Sequence, residues 1–236
     1  MEFDLEFAKH TFFVALTGIP TTLKLTIVSL LLAAPIAFFM AVVKINQVRG
    51  IRRGVAIYVS FIRGTPIVLQ ILIIYSLFPS LLNLLVKQLQ LPINVFDLNP
   101  ILYAYIVFTL NTIATMSETW RSALLTVNSG QLEAAQAIGL STVRAYTRII
   151  IPQALVAALP NICNITVSLL KNTSLAFLMT VKDITAIAKM EASYGYNYIE
   201  AYAVIFLIYI MICTLVQIGF NRMERYFSFF KTCGNV

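Results

Sequence analysis

Apolar stretches of roughly 20 residues recur along the chain, and the charges are gathered into short segments between them. About 20 residues of helix cross the roughly 30 Å of a bilayer's hydrocarbon. The pattern predicts five spans, over about 22–43, 66–85, 100–125, 153–179 and 201–220. Thr21 or Thr22 is placed to cap the first, and Pro35 is a candidate kink. Thr65-Pro66 reads as an N-cap followed by proline at the first helical position, where the missing N–H costs nothing. Segment 44–65 is too charged to cross whole, and its short apolar part, 54–62, is expected against the inner face. The stretch 180–200 has room for a short outer helix. No internal repeat, low-complexity tract or flexible linker breaks the pattern. The fold class is therefore an all-α integral membrane protein, with 1–236 a single transmembrane domain of five helices.

Composition supports that reading. Of 236 residues, 59% are hydrophobic and only 11% charged, against about 25% charged in soluble domains. A soluble fold of this size cannot hide so much apolar surface, which argues against a cytosolic enzyme and excludes a disordered or fibrous chain. The 16 Phe and 11 Tyr suit lipid contact and interfacial belts. A net charge of +7 would raise the question of nucleic acid in a soluble protein; here the charges sit between apolar blocks and report topology. With the N-terminus outside, the inner segments hold Lys44, Arg49, Arg52, Arg53, Arg63, Arg121, Arg144, Arg148, Arg222, Arg225 and Lys231. The outer segments hold only Lys9, Lys87, Lys182 and Lys189. The positive-inside rule then predicts N-out, C-in. Cys163, Cys213 and Cys233 are odd in number and far apart, so neither a disulfide framework nor a metal-ligand spacing is expected. The start, Met1-Glu2-Phe3-Asp4-Leu5-Glu6, lacks the basic region of a cleaved signal peptide.

Segment 126–152, inside by the charge count, is not loop-like. Residues 131–138 read as a short helix, Gly139 as its left-handed terminator, and Ser141 as the cap of a second helix over 142–151, with Pro152 opening the next span. This helix–Gly–helix elbow between spans 3 and 4 suits docking. Ala134, Ala135 and Ala137 leave a thin surface for a partner groove, and Glu133 offers a charge for a partner cation. The structural alternative is an amphipathic connector lying on the membrane.

Glu133-Ala134-Ala135-x-x-x-Gly139, followed by Ile149-x-Ile151-Pro152, resembles the EAA loop of bacterial ABC importer permeases, which usually have Leu in place of Ile151. Arg63-Gly64-Thr65-Pro66, Glu118-Thr119-Trp120-Arg121, Gly130-Gln131-Leu132-Glu133-Ala134-Ala135, Ile151-Pro152-Gln153-Ala154 and Leu170-Lys171-Asn172-Thr173-Ser174-Leu175 are similar to the polar amino acid uptake subfamily, which often has Asp in place of Asn172. The resemblance spans roughly 20–226. It implies a permease that works as a homodimer or heterodimer in the bacterial inner membrane, two ATPase subunits beneath it, and an extracytoplasmic binding protein that delivers the substrate. Glu133, Ala134, Ala135 and Gly139 would form the coupling helix that enters the ATPase. The chain has no Gly-x-x-x-x-Gly-Lys-[Ser/Thr] loop and no acidic metal cluster, so ATP and Mg belong to the partner ATPase. The chain itself is expected to be a transport subunit without catalytic residues, cofactor or metal.

Ionisable groups within spans are functional hypotheses by default. Glu118 and Arg121 are spaced to pair locally. Asn111, Thr115, Glu118 and Ser122 share a face of the third span, and Asn161, Asn164, Ser168, Lys171 and Asn172 share one of the fourth. Two such stripes should face each other or an aqueous path, with interhelical packing bonds as the structural alternative. Glu118 and Lys171 differ in depth by about 18 Å and are not expected to pair. A zwitterion could place its carboxylate at Lys171 and its amine at a more inward acceptor. Lys24 is expected to snorkel at the outer end of its helix. An ion-coupled secondary carrier is disfavoured by the lack of paired broken-helix repeats, and a non-transporting membrane assembly protein would not need polar stripes at mid-span. Within polar amino acids, L-cystine is the first expectation, with basic amino acids and glutamine as competitors.

Overall fold

The computed structural model describes residues 3–232 except Ile93, with side chains as far as Phe227. Expectations resting on Met1, Glu2, Cys233 and the Lys231 side chain lie outside the described residues. Among the described residues there is no strand. The helices are α1 (Leu5–Leu16), α2 (Ile19–Ile45), α3 (Ile51–Gly64), α4 (Ile67–Gln88), α5 (Ile101–Thr126), α6 (Ser129–Ala137), α7 (Thr142–Ala145), α8 (Ile151–Thr173), α9 (Ile184–Gly195) and α10 (Tyr198–Thr232). α9 is a short helix within 180–200, and α1 is a further helix that the pattern of spans does not predict.

Four helical stretches are long and apolar enough to cross a membrane: Ile19–Ile45, Ile67–Gln88, Thr142–Met179 and Tyr198–Phe227. α5 has 26 residues, about 39 Å at 1.5 Å each, but its polar residues keep it out of that group. It is the centre of the bundle, packed against α2, α8, α3 and α4. α2 meets it through Ser29, Ala33, Ala37 and Ala41, one residue per turn and all fully buried. Small side chains let helix backbones approach closely, which in a bilayer replaces the hydrophobic effect as the source of helix association. Larger residues fill the space at either end of this seam. Leu25, Ile71, Phe108 and Met179 cluster at one end, and Met116, Trp120 and Ile150 at the other, where Phe38 meets Trp120 edge-on at 5.3 Å. α1, α9 and α10 pack on one another through Ala15, Ala188, Ala192 and Ala201.

Three local expectations are corrected. α2 starts at Ile19, after Gly18 and with proline in its first turn, and Thr22 is buried rather than capping. The reason is tertiary: the turn before α2 lies so close to Asp183 and Ile184 that a Cβ on Gly18 would sit 2.5 Å from the Ile184 nitrogen. Next, Thr65 does not cap α4, and α3 packs beside α5. Val55, Val59 and Ile62 pack with Ala114 in the middle of α5, and the Tyr58 hydroxyl donates to the Leu110 carbonyl at 2.7 Å. α3 thus climbs beside α5, and its chain breaks at Gly64-Thr65-Pro66 before α4. Thr65 is extended, as a residue before proline prefers, and its hydroxyl turns back to the Phe61 carbonyl at 2.9 Å instead of capping α4. Finally, no new helix opens at Pro152. α7 passes through a π turn over Tyr146–Ile150 directly into α8. Proline presses on the carbonyl four residues earlier in a regular α-helix, here Arg148, which lies within the wider π turn.

Candidate functional site

The helical phase of the polar residues decides where they point. Asn111, Thr115, Glu118 and Ser122 of α5 face Asn161, Asn164, Ser168 and Asn172 of α8 across a cleft. One part, of about 220 Å³, is lined by Asn111, Thr112, Thr115, Asn164, Ile165, Ser168, Leu169 and Asn172. It adjoins a wider part of about 400 Å³ lined by Arg63, Thr115, Glu118, Thr119, Arg121, Ser122, Asn161, Asn164 and Ile165. The expected juxtaposition of the two stripes is therefore present. Helix packing bonds do not account for the α8 wall, because the Asn161, Asn164, Ser168 and Asn172 side chains make no hydrogen bond among the described residues. Polar groups left unpaired in an apolar medium are costly, so this wall is suited to water or a polar ligand.

Lys171 is placed differently from its expected role. It lines neither part of the cleft, is exposed, and lies on the side of α8 toward Cys213 of α10. Glu118 does not pair with it. Arg121 Nε donates to Glu118 Oε2 at 2.9 Å, as the spacing suggested, and Lys44 at the end of α2 donates to Glu118 Oε1. The local spacing of Glu118 and Arg121 does not show this second partner; its signal in the sequence is a cation in the last turn of a neighbouring span. Arg63, on the last turn of α3, faces the same space and forms no ion pair among the described residues. The wider part of the cleft thus carries more positive than negative charge.

The elbow between α5 and α8 is built as its residues direct. Asn128 caps α6 by accepting from the Gly130 N–H at 2.8 Å. Gly139 has φ +85°, a conformation that costs a side-chain-bearing residue strain. Its N–H donates to the Gln136 carbonyl at 2.9 Å, and the Leu140 N–H donates to the Ala135 carbonyl at 3.1 Å, a Schellman ending. Glu133, Ala134 and Ala137 face outward. Ala135 does not: it is 2% exposed, and its small side chain lets α6 settle on the π turn. Ile138 and Val143 stand out on either side of Gly139, 78% and 73% exposed, as an apolar pair left uncovered among the described residues.

On the opposite side of the bundle, Asp183 is fully buried. It caps α9 by accepting from the Ala186 N–H at 2.8 Å, and the Tyr209 hydroxyl donates to it at 3.3 Å. Burial pushes its pKa up to about 6, against the opposing pull of those hydrogen bonds.

The family profile described as "Binding-protein-dependent transport system inner membrane component" matches residues 33–228. The chain is 34% identical to an octopine transport system permease protein of Rhizobium radiobacter, over 95% of this chain and 90% of that protein. It is 32% identical to an L-cystine transport system permease protein of Bacillus subtilis, over 88% and 84%. It is also 32% identical to a histidine/lysine/arginine/ornithine transport system permease protein of Escherichia coli, over 89% and 87%. Among solved structures, an amino acid ABC transporter crystallised with histidines superposes with a TM-score of 0.77 at 27% identity, covering 96% of this chain and all of that one.

Proposed function

The chain belongs to the family of binding-protein-dependent transport system inner membrane components, and we propose that it is the permease subunit of an ATP-driven importer for polar amino acids. The observation that carries this reading is the meeting of two polar stripes on one cleft inside a bundle that otherwise resembles amino acid permeases. Substrate passes between α5 and α8, in contact with Asn111, Thr115, Glu118, Asn164, Ser168 and Asn172. Five helices cross the membrane: the four apolar stretches and α5, whose neighbours shield it from lipid. The positive-inside rule orients the bundle N-out, C-in. Glu133, Ala134 and Gly139, with exposed Ile138 and Val143, then form the cytoplasmic coupling surface, while Ala135 seats it. A second permease subunit, two ATPase subunits that hold ATP and Mg, and an extracytoplasmic binding protein complete the machine. Relatives named for octopine, L-cystine and basic amino acids support the substrate class, and L-cystine is the first member to test.

Reconstitution with the partner subunits tests the reading. Uptake should require ATP, and uptake driven by an ion gradient alone would favour the secondary-carrier alternative instead. Gly139→Pro should leave the subunit inserted yet abolish ATP hydrolysis stimulated by the loaded binding protein, since proline cannot adopt φ +85°. In intact cells, a cysteine at Lys189 should react with an impermeant thiol reagent and one at Thr142 should not; the reverse would sink the N-out topology.

A further inference from the structure

Gln70 stands alone as a polar residue in the first turns of α4 and is buried to 8% exposure. It sits where the break between α3 and α4 leaves backbone carbonyls without helical partners. Its Nε2 donates to the Ile62 carbonyl at 2.8 Å, the Thr65 carbonyl at 3.1 Å and Thr65 Oγ1 at 2.8 Å. Carbonyls only accept, and the Thr65 hydroxyl proton is already given to Phe61. All three neighbours therefore demand a donor, and the Gln70 amide is held in one orientation. Its Oε1 consequently faces α5, where it accepts from Asn111 Nδ2 at 3.3 Å. That bond in turn holds Asn111, whose Oδ1 takes no hydrogen bond among the described residues while the side chain lines the cleft.

We propose that Gln70 is a positioning residue that sets Asn111 as a hydrogen-bond acceptor toward the cleft, where it recognises the protonated amine of an amino acid. This rests on the cleft being the substrate path. The break in the α3–α4 chain supplies the orientation: its orphan carbonyls set Gln70, and Gln70 sets Asn111. No ionised side chain is needed at this level of the cleft, because a neutral amide oxygen whose orientation is already paid for loses little on meeting an ammonium.

The test uses the permease–ATPase complex in nanodiscs, without binding protein. Binding of radiolabelled L-cystine, L-arginine and L-glutamine is measured beside their N-acetyl forms, which lack the cation. The native complex should bind at least one amino acid about tenfold more tightly than its N-acetyl form, the discrimination expected of a hydrogen bond to a charged group. Gln70→Leu and Asn111→Leu should each raise the half-saturation concentration about tenfold. Gln70→Leu combined with Asn111→Asp should recover to within a few-fold of the native value, since a carboxylate accepts in either orientation. A merely structural Gln70 would not be rescued by a change in its neighbour. Asn164→Leu on the opposite wall separates the two ideas. If it weakens binding while Gln70→Leu does not, the cleft stands and this proposal falls; if neither does, both fall. Should Gln70→Leu fail to assemble, the single Asn111 variants decide. Asn111→Asp binding at least as tightly as native supports the proposal, and Asn111→Asp binding more weakly than Asn111→Leu overturns it, because the group at Asn111 would then meet an anion.

Discussion

α4 and α5 lie side by side and invert the rule familiar from soluble proteins. α4 has a mean hydropathy of 2.0 in its most apolar window, yet only 11% of that window is buried. α5 carries Asn111, Glu118 and Arg121, yet about half of its 26 residues are buried. In water the apolar helix would be the inner one. In a bilayer, lipid tails are as apolar as leucine, so an apolar surface gains nothing by turning inward, while a polar group must find protein or water. Of the two, the less apolar helix is therefore the interior one.

The inversion can be broken from its polar side first. Glu118→Leu strands Lys44 and Arg121, and removing one member of a half-buried ion cluster should cost about 3 kcal/mol or more. Size-exclusion chromatography should show at least a tenfold loss of assembled complex, partly restored by adding Lys44→Met. Undiminished assembly of Glu118→Leu would mean that the cluster faces open water and that α5 is not interior.

Asp183 extends the comparison to the other face. Its folded pKa is raised, so as pH rises the unfolded carboxyl ionises first. Stability should therefore fall between about pH 4 and about pH 6, by up to about 3 kcal/mol, and stay level above. Asp183→Asn keeps an α9 cap and cannot ionise, so thermal denaturation followed across that range should lose its slope, with the variant the more stable above pH 6. A slope that survives the substitution would assign the titration to another group.

Packing should distinguish the two helices by a smaller margin. Ala37→Leu overfills the seam between α2 and α5 and should cost about 2 kcal/mol. Ile73→Ala on the outer face of α4, where the side chain is 56% exposed, should cost less than about 0.5 kcal/mol. Equal losses of melting temperature would show that α4 is covered by protein along this face. The smallest effect is expected at Lys171. Because it lies off the cleft, Lys171→Met should leave uptake per assembled complex within about twofold, against roughly a tenfold loss for Asn164→Leu. A loss at Lys171 equal to that at Asn164 would bring it back into the pathway.

The membrane class, the helix positions to within a few residues at most ends, the Gly139 elbow and the two polar stripes were legible in the sequence. Each depends on a local property: the rise of a helix, the period that gathers residues onto one face, or the conformational freedom of glycine. The tertiary structure alone decided that α3 climbs beside α5, that Lys44 completes the Glu118 pair, that Ala135 turns inward and Lys171 away, and that Gln70 holds Asn111. These depend on which helices are neighbours and how each is rotated about its axis. Small residues such as Ser29, Ala33, Ala37 and Ala41 set both by how closely they let backbones approach. In a bilayer, apolarity marks lipid-facing and protein-facing surfaces alike, so the pattern along the chain carries no record of that choice.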